Sequence, residues 1–436
     1  MSGATRVVWH RGDLRIHDHP ALHVALDAGP AVGLVVLDDC ILEAASARRR
    51  AHFYANVRAL REAYATRGGT LVVRRGDPAA AVPAVAHELS AAAVHALRSY
   101  TPYGGVRDAA TARALGVVPL HWHGGLYIHE PGTVRTQAGT AYAVFGAFYR
   151  AWQARPRPDP LEPPPAIRSP ALPAGVEEGA IPSEESDVPL PAAGEAAVLA
   201  ALDRFARSEL AGYAESRDRL DGGGSSRLSV WLTIGVLSAR TAYARVEHLR
   251  GAGRDSWMRQ LAWRDFLADL LYDNPRLARE PFDRKWRAMS WSRSRRRLDA
   301  WRTGRTGIPA VDAAMRELHA TGWIGNRARM LAAQFLTKHL RIDWRHGERV
   351  FKDWLLDGDT ASNVGNWQWA AGLGIDNAPY FRVFNPVTQA KQHDPDGAWL
   401  RRWVPECQGD PRPMAGAIVD LKEAREQYLA AARAVK

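Results

Sequence analysis

The chain has 436 residues, 46% hydrophobic and 24% charged, a globular composition with length enough for two cores. No run of about 18 apolar residues is present, which excludes a helical membrane span, and the start, MSGATRVVWHRGDLR, lacks the apolar core and cleavage site of a secretory signal. Only Cys40 and Cys407 could supply thiolates, so neither a disulfide framework nor a metal is expected, and a reducing cytoplasm fits. The net charge of +11 reads in two ways, as a polyanion partner or as the arginine excess of a GC-rich genome.

Residues 6 to 128 alternate strand and helix patterns. RVVWH, AVGLVVLD, TLVVRR, AAVHALR and VVPLHW are apolar runs of strand length, and ARRRAHFYANVRALREAYATRG has a helical pattern. That order predicts a parallel, Rossmann-like α/β domain over residues 1–130, with a ligand edge at the carboxyl ends of its strands. HRGDLR follows the first strand and belongs at that edge, but no G-x-G-x-x-G accompanies it, which disfavours an NAD site. Residues 131–193 read as a linker: eleven of the 27 prolines fall between 156 and 191, predicting extended chain over the surface. From 194 to 436 helical patterns follow one another, predicting an all-helical second domain.

Five stretches of that second domain could carry chemistry. DGGGSSRLS, residues 221–229, is either an anion cradle of backbone N–H groups and hydroxyls or a flexible turn; no Lys follows, so it is not a Walker loop. In LAWRDF, helical spacing puts Gln260, Trp263 and Arg264 on one face, lining a wet aromatic pocket or, in the blander view, divided between core and solvent. Asn326, Arg329 and Met330 share a face in NRARM, and an inward Arg329 needs a carboxylate. Asp357 and Asp359 in DGDTASNVGNWQWAAG are candidates, Asp359 also as a helix cap. Residues 283–307 carry nine Lys or Arg against two Asp with interleaved aromatics, as a phosphate-tracking surface or a solvated basic loop would.

Taken together these motifs resemble the photolyase and cryptochrome family, most nearly the bacterial class I cyclobutane pyrimidine dimer photolyases. The similarity runs from VVWHRGDLRIHDHPAL through SSRLS, LAWRDF, NRARM and NWQW to DNAPYFRVFNPVTQ, nearly the whole chain. It implies a U-shaped FAD in the helical domain, with Tyr213 and Ser225, Ser226, Arg227, Leu228 and Ser229 at its phosphates. Trp257 and Trp323 would wall the pocket. Arg329, Asp357 and Asp359 would stand on its flavin and ribose side, with Asn363 at flavin N5 and Arg264 and Asn326 shared with the lesion. Trp291, Trp344 and Trp367 match an electron-transfer chain. Trp263 and Trp369 would flank a flipped-out dimer, beside Gln260, Asn326 and Met330, while Arg217, Arg264, Arg327 and Arg382 would meet DNA phosphates. The implied reaction is light-driven: reduced flavin lends the dimer one electron, the cyclobutane bonds split, and the electron returns.

The same resemblance implies a second chromophore in the first domain, near Arg11, Asp13 and Arg50. TPYGG stands where folate-binding relatives carry an acid, which favours an FMN or deazaflavin antenna over folate. A signalling cryptochrome is the main rival; the short end after VDLKEAREQYLAAARA and the presence of Asn363 speak for repair. A (6-4) photolyase would have histidines at 326 and 330, and a light-independent single-strand binder would work in darkness. UV-damaged DNA is the expected partner of a bacterial monomer with no obligate protein partner. One departure concerns Gln260, where dimer photolyases usually carry Glu. Gln260→Glu is expected to raise or preserve dimer reversal per absorbed photon, measured on a dimer-containing oligonucleotide; a clear loss would assign the amide to a different chemistry.

Overall fold

The computed structural model describes residues 4–435, so the first three residues of the N-terminal stretch lie outside it. Five strands, β1 (Arg6–His10), β2 (Ala31–Leu37), β3 (Leu71–Arg75), β4 (Ala93–Leu97) and β5 (Leu120–His123), form one parallel sheet in the order β3-β2-β1-β4-β5. β2 is buried at every position, as a central parallel strand covered on both faces must be. One face, with Val7, Trp9, Val32, Leu34 and Val94, packs with Val82, Val85 and Ala86 of the helix Pro78–Glu88. That helix starts where Asp77 caps the Ala79 N–H and Pro78 occupies the first turn, where a missing N–H costs nothing. The other face, with Val8, Val35, Val73 and Leu97, belongs to a core that continues unbroken into the second half of the chain.

The second half is helical. Among the described residues its only β pairing is an isolated bridge between Ser292 and Ile342. The helix Ala252–Asp273 runs through its middle, against the helices Phe145–Ala154 and Thr360–Ala371. The last of these begins at an Asp359 cap and ends at Gly372 in the left-handed conformation, φ 75°.

The proline-rich linker differs from expectation in two ways. Residues 145–154 form a helix, because Phe145, Phe148 and Trp152 recur at helical spacing and all three are buried. The Pro-rich remainder is extended but does more than lie on the surface. It supplies the Glu178 carbonyl to the Val73 N–H at 2.6 Å and the Arg168 carbonyl to Ala31 at 2.7 Å, and buries Ile167. It thereby covers the β3 edge, which would otherwise present unpaired backbone groups.

HRGDLR also behaves differently from a ligand edge. Arg15, 1% exposed, donates to the carbonyls of Gly235 at 2.9 Å and Gly125 at 2.7 Å, and the Leu14 N–H reaches Ile234. Fully buried Asp18 is held by Arg240 and Ser238, and Glu195 accepts from the N–H groups of Ile16 and His17 at 2.8 and 2.9 Å. The segment fastens the two domains together. Gly235 sits where the backbones meet: its φ is +67°, and a Cβ there would lie 2.1 Å from the Gly12 carbonyl oxygen. Gly235→Ala is therefore expected to destabilise the fold by about 2 kcal/mol or more, read as a lowered urea midpoint.

Candidate cofactor and lesion site

The loop 221–229 bends where Gly222 and Gly224 take positive φ, 67° and 75°, and a side chain at Gly224 would strike the Ser216 hydroxyl. Below it lies a cavity of about 520 Å³ lined by Ser225, Ser226, Arg227 and Trp323 together with Phe205 and Leu356. Trp257 donates from its indole to Ser226 at 3.3 Å, Trp323 donates to Ser229 at 3.4 Å, and the Arg227 guanidinium lies 4.6 Å from the Trp323 ring. Tyr213 is buried edge-on to Phe205. Leu228, also buried, turns its side chain into the core.

Arg329 binds Asp357 through both guanidinium nitrogens, at 3.1 and 2.8 Å, and donates from Nε to the Ile324 carbonyl at 2.9 Å. Asp359 is the cap of the next helix, accepting the Ser362 N–H at 2.7 Å, so the helix-cap reading of that acid holds. Asn363, one turn further on, is buried and donates its amide to the backbone carbonyl and the carboxylate of Glu348 at 2.9 and 2.8 Å. Among the described residues no donor reaches its Oδ1. Burial pushes the Glu348 carboxyl pKa upward.

Trp367 and Trp344 are buried, each 2% exposed, and Trp291 is half-buried. Gly347 lets the Trp367 ring lie against the Trp344–Trp354 helix, since a Cβ there would come within 2.1 Å of it. The Ser292–Ile342 bridge brings the chain beside Trp291 next to the chain leading into Trp344. Trp301 and Phe351 meet the Trp367 ring edge-on at 6.1 and 4.9 Å. Trp301 and Trp286 came from the basic segment read as a phosphate-tracking surface; both are buried in the core instead, while Arg295 and Arg296 remain exposed.

On the outer side, half-buried Trp263 stacks at 3.9 Å on Phe145 and meets Phe266 edge-on at 5.4 Å. Trp369 is half-buried. Gln260 accepts from Arg217 at 3.2 Å, and Arg327 is held by Asp218 at 2.6 Å and Gln389 at 3.3 Å. Asn326 is exposed, with its amide against the Met330 sulfur at 3.5 Å, and Arg382 is exposed. Arg264, expected among the phosphate contacts, is half-buried; it donates to the Leu126 carbonyl at 2.8 Å and covers the Tyr127 ring at 4.3 Å, between the domains.

The antenna residues are also redistributed. Asp13 is 1% exposed and bonded to His19 and to the Arg11 N–H, beneath the surface rather than on a pocket wall. It forms a group with His10 and His19 in which His10 also meets Tyr64 at 2.6 Å and the His19 Nδ1 accepts from Leu22. These polar partners account for the histidine nitrogens without a metal ion. Arg11 is paired to Asp108 over the Trp9 ring, and Arg50 is bound to Glu184 of the linker at 2.6 and 3.0 Å.

A glycine-bent loop above a cavity, a buried acid held by Arg329, a buried amide with an unused acceptor and nearby indoles are the groups that a flavin-dependent class of protein would use to hold its nucleotide. Family comparisons agree with that class. Residues 6–169 match the DNA photolyase model, and 257–434 match the FAD binding domain of DNA photolyase. The chain is 51% identical over 431 residues to a deoxyribodipyrimidine photo-lyase of Thermus thermophilus, covering 98% of each. It is 38% identical to that of Halobacterium salinarum, over 93% of this chain and 90% of the relative. A bacterial class III photolyase from Agrobacterium tumefaciens superposes with a TM-score of 0.90 at 31% identity, covering 100% of this chain and 98% of that one. A Synechocystis cryptochrome gives 0.90 at 27%, covering all of both. The chain belongs to the DNA photolyase family.

The Arg329 to Asp357 pair is the most exacting contact of the site, since the Asp357 side chain is only 3% exposed. Arg329→Gln is expected to lower stability by about 3 kcal/mol, because it strands a buried carboxylate, and to weaken FAD retention in parallel. Denaturation with and without added FAD checks both.

Proposed function

We infer that this protein reverses cyclobutane pyrimidine dimers in DNA under blue light. The observation that carries the reading is the Thr360–Ala371 helix, which bears Asn363 and Trp367 on its buried side and half-buried Trp369 near its end, in a chain 51% identical to a deoxyribodipyrimidine photo-lyase. When bound, reduced FAD supplies the electron that splits the dimer. The 221–229 loop and Arg227 would hold its phosphates, and Asp357, oriented by Arg329, and Asp359 would meet its polar edge. Asn363, its amide group committed to Glu348, offers Oδ1 as an acceptor to a protonated ring nitrogen, which favours the reduced form.

Trp263, braced by Phe145, and Trp369 offer flat apolar surfaces to a flipped lesion, at about 1–3 kcal/mol per stacked base in related single-strand sites. Gln260, Asn326 and Met330 complete that pocket. A dimer stacks and pairs poorly, so extruding it costs less than extruding intact bases, and damage itself supplies selectivity. Arg217, Arg327 and Arg382 frame the entrance, and affinity should fall with salt as they track phosphates. Trp291, Trp344 and Trp367 would carry electrons inward from the surface; the burial of the last two keeps the route dry.

A second chromophore of flavin or deazaflavin type is the reading for the first domain, with Arg11 and Arg50 as its surviving contacts near the carboxyl ends of β1 and β2. In support, an archaeal photolyase from Sulfolobus tokodaii, similar at TM-score 0.85 and 26% identity over 98% of this chain, is described with two FAD molecules. Among the described residues no helix is long and apolar enough to cross a membrane.

Purified protein is expected to be yellow and, once reduced and illuminated, to restore thymines in a dimer-containing oligonucleotide. Full FAD and lesion binding without reversal would favour signalling, and reversal in darkness would rule out the photochemistry.

A further inference from the structure

Lys338 is the one described lysine that is fully buried, 1% exposed, and among the described residues no carboxylate neutralises it. Burial and the nearby Arg382 charge push its pKa down to about 7. A buried cation with no counter-ion is expensive to keep, and an apolar residue of the same length would be easier to accommodate. The side chain does make one directed contact: its Nζ donates to the Arg382 carbonyl at 2.8 Å, beside the Tyr428 ring at 5.8 Å.

The local backbone is unusual as well. Residues Phe335–His339 form a π-helical turn, a form concentrated at functional positions. Just before it, Gln334, 2% exposed, accepts the Phe384 N–H at 3.0 Å. Two buried polar side chains from one helix end thus grip residues 382 and 384 of the same loop. Upstream, Asp376 and Asn377 take positive φ, so the loop lacks the regular ladder that would stiffen it. On the outside, the Arg382 and Arg327 guanidinium groups lie 5.5 and 5.8 Å from the ring of Phe384.

We propose that Lys338 is a positioning residue for DNA binding: by donating to the Arg382 carbonyl from inside the fold, it holds the loop so that Arg382 and Arg327 face a phosphate backbone together across Phe384. The proposal rests on the reading of those two arginines as DNA contacts. Phosphate contacts set register rather than sequence, so their spacing must exist before DNA arrives, and a loop already ordered loses less freedom on binding.

The test uses the FAD-loaded protein and a fluorescent dimer-containing oligonucleotide. Lys338→Met is expected to keep full FAD, to melt no lower than wild type, and to bind lesion DNA about three- to tenfold more weakly, the loss of one hydrogen bond's worth of alignment. Repair per photon at saturating DNA should not change. In an Arg382→Ala background, Lys338→Met should add no further loss. Should the methionine variant not fold, Lys338→Gln, which keeps a shorter donor, enters the same cycle and should lose less affinity than Arg382→Ala. Unchanged affinity in Lys338→Met beside a weakened Arg382→Ala would overturn the proposal, as would parallel losses of FAD, melting temperature and affinity. Wild-type affinity in Arg382→Ala would instead remove the phosphate-contact reading, and this proposal with it.

Discussion

The carboxylate of Asp357 lies almost entirely out of water and must be answered by a charge. Arg329 answers it with a two-point contact while its Nε holds the Ile324 carbonyl, so the turn at 322–324 and the turn at 355–359 are fixed against each other. The Leu356 N–H to Gly322 carbonyl bond ties the same two turns at 2.9 Å. The Thr360–Ala371 helix starts from this anchored point, and its orientation sets where Asn363, Trp367 and Trp369 can be. Every cofactor and lesion contact assigned to that helix depends on the pair.

Helix geometry then divides the labour of two neighbouring indoles. Successive residues turn by about 100°, so residues two apart point to nearly opposite sides. Trp367 is buried against Phe351, Trp301 and the gap left by Gly347, whereas Trp369 stays half in solvent. A Trp-Gln-Trp sequence on a helix therefore serves an interior and an exterior at once. Gln368 between them is fully buried and locks the helix by donating to the Leu277 and Glu280 carbonyls at 2.9 Å each.

The domains are joined by polar contacts inside an apolar shell. Arg15, Asp18 and Glu195 are matched by backbone and side-chain partners across the junction, so their burial costs little net free energy and specifies one relative placement. Between 145 and 154 the linker becomes a helix, and its Phe145 stacks on Trp263. Fold similarity alone does not separate repair from signalling, because a cryptochrome superposes as well as a photolyase does. The distinction rests on particular side chains and on the full-length similarity to repair enzymes.

Much was legible from residue order. Strand-length apolar runs, the proline-rich segment and successive helical periods are local signals, and they specified a parallel α/β domain followed by a helical one. The inward Arg329 needing an acid was legible too, because desolvating a guanidinium admits few alternatives. Tertiary structure alone decided which partner each polar group would take. Asp13 and Arg264 look like ligand contacts in sequence, yet one is sealed under the sheet edge and the other bridges the domains. Trp301 reads as part of a basic surface and lies in the core, and buried Lys338 reaches a loop 44 residues away. Periodicity reports which face of an element is apolar, but contacts between distant segments depend on how those faces meet, and that is set by packing across the whole chain.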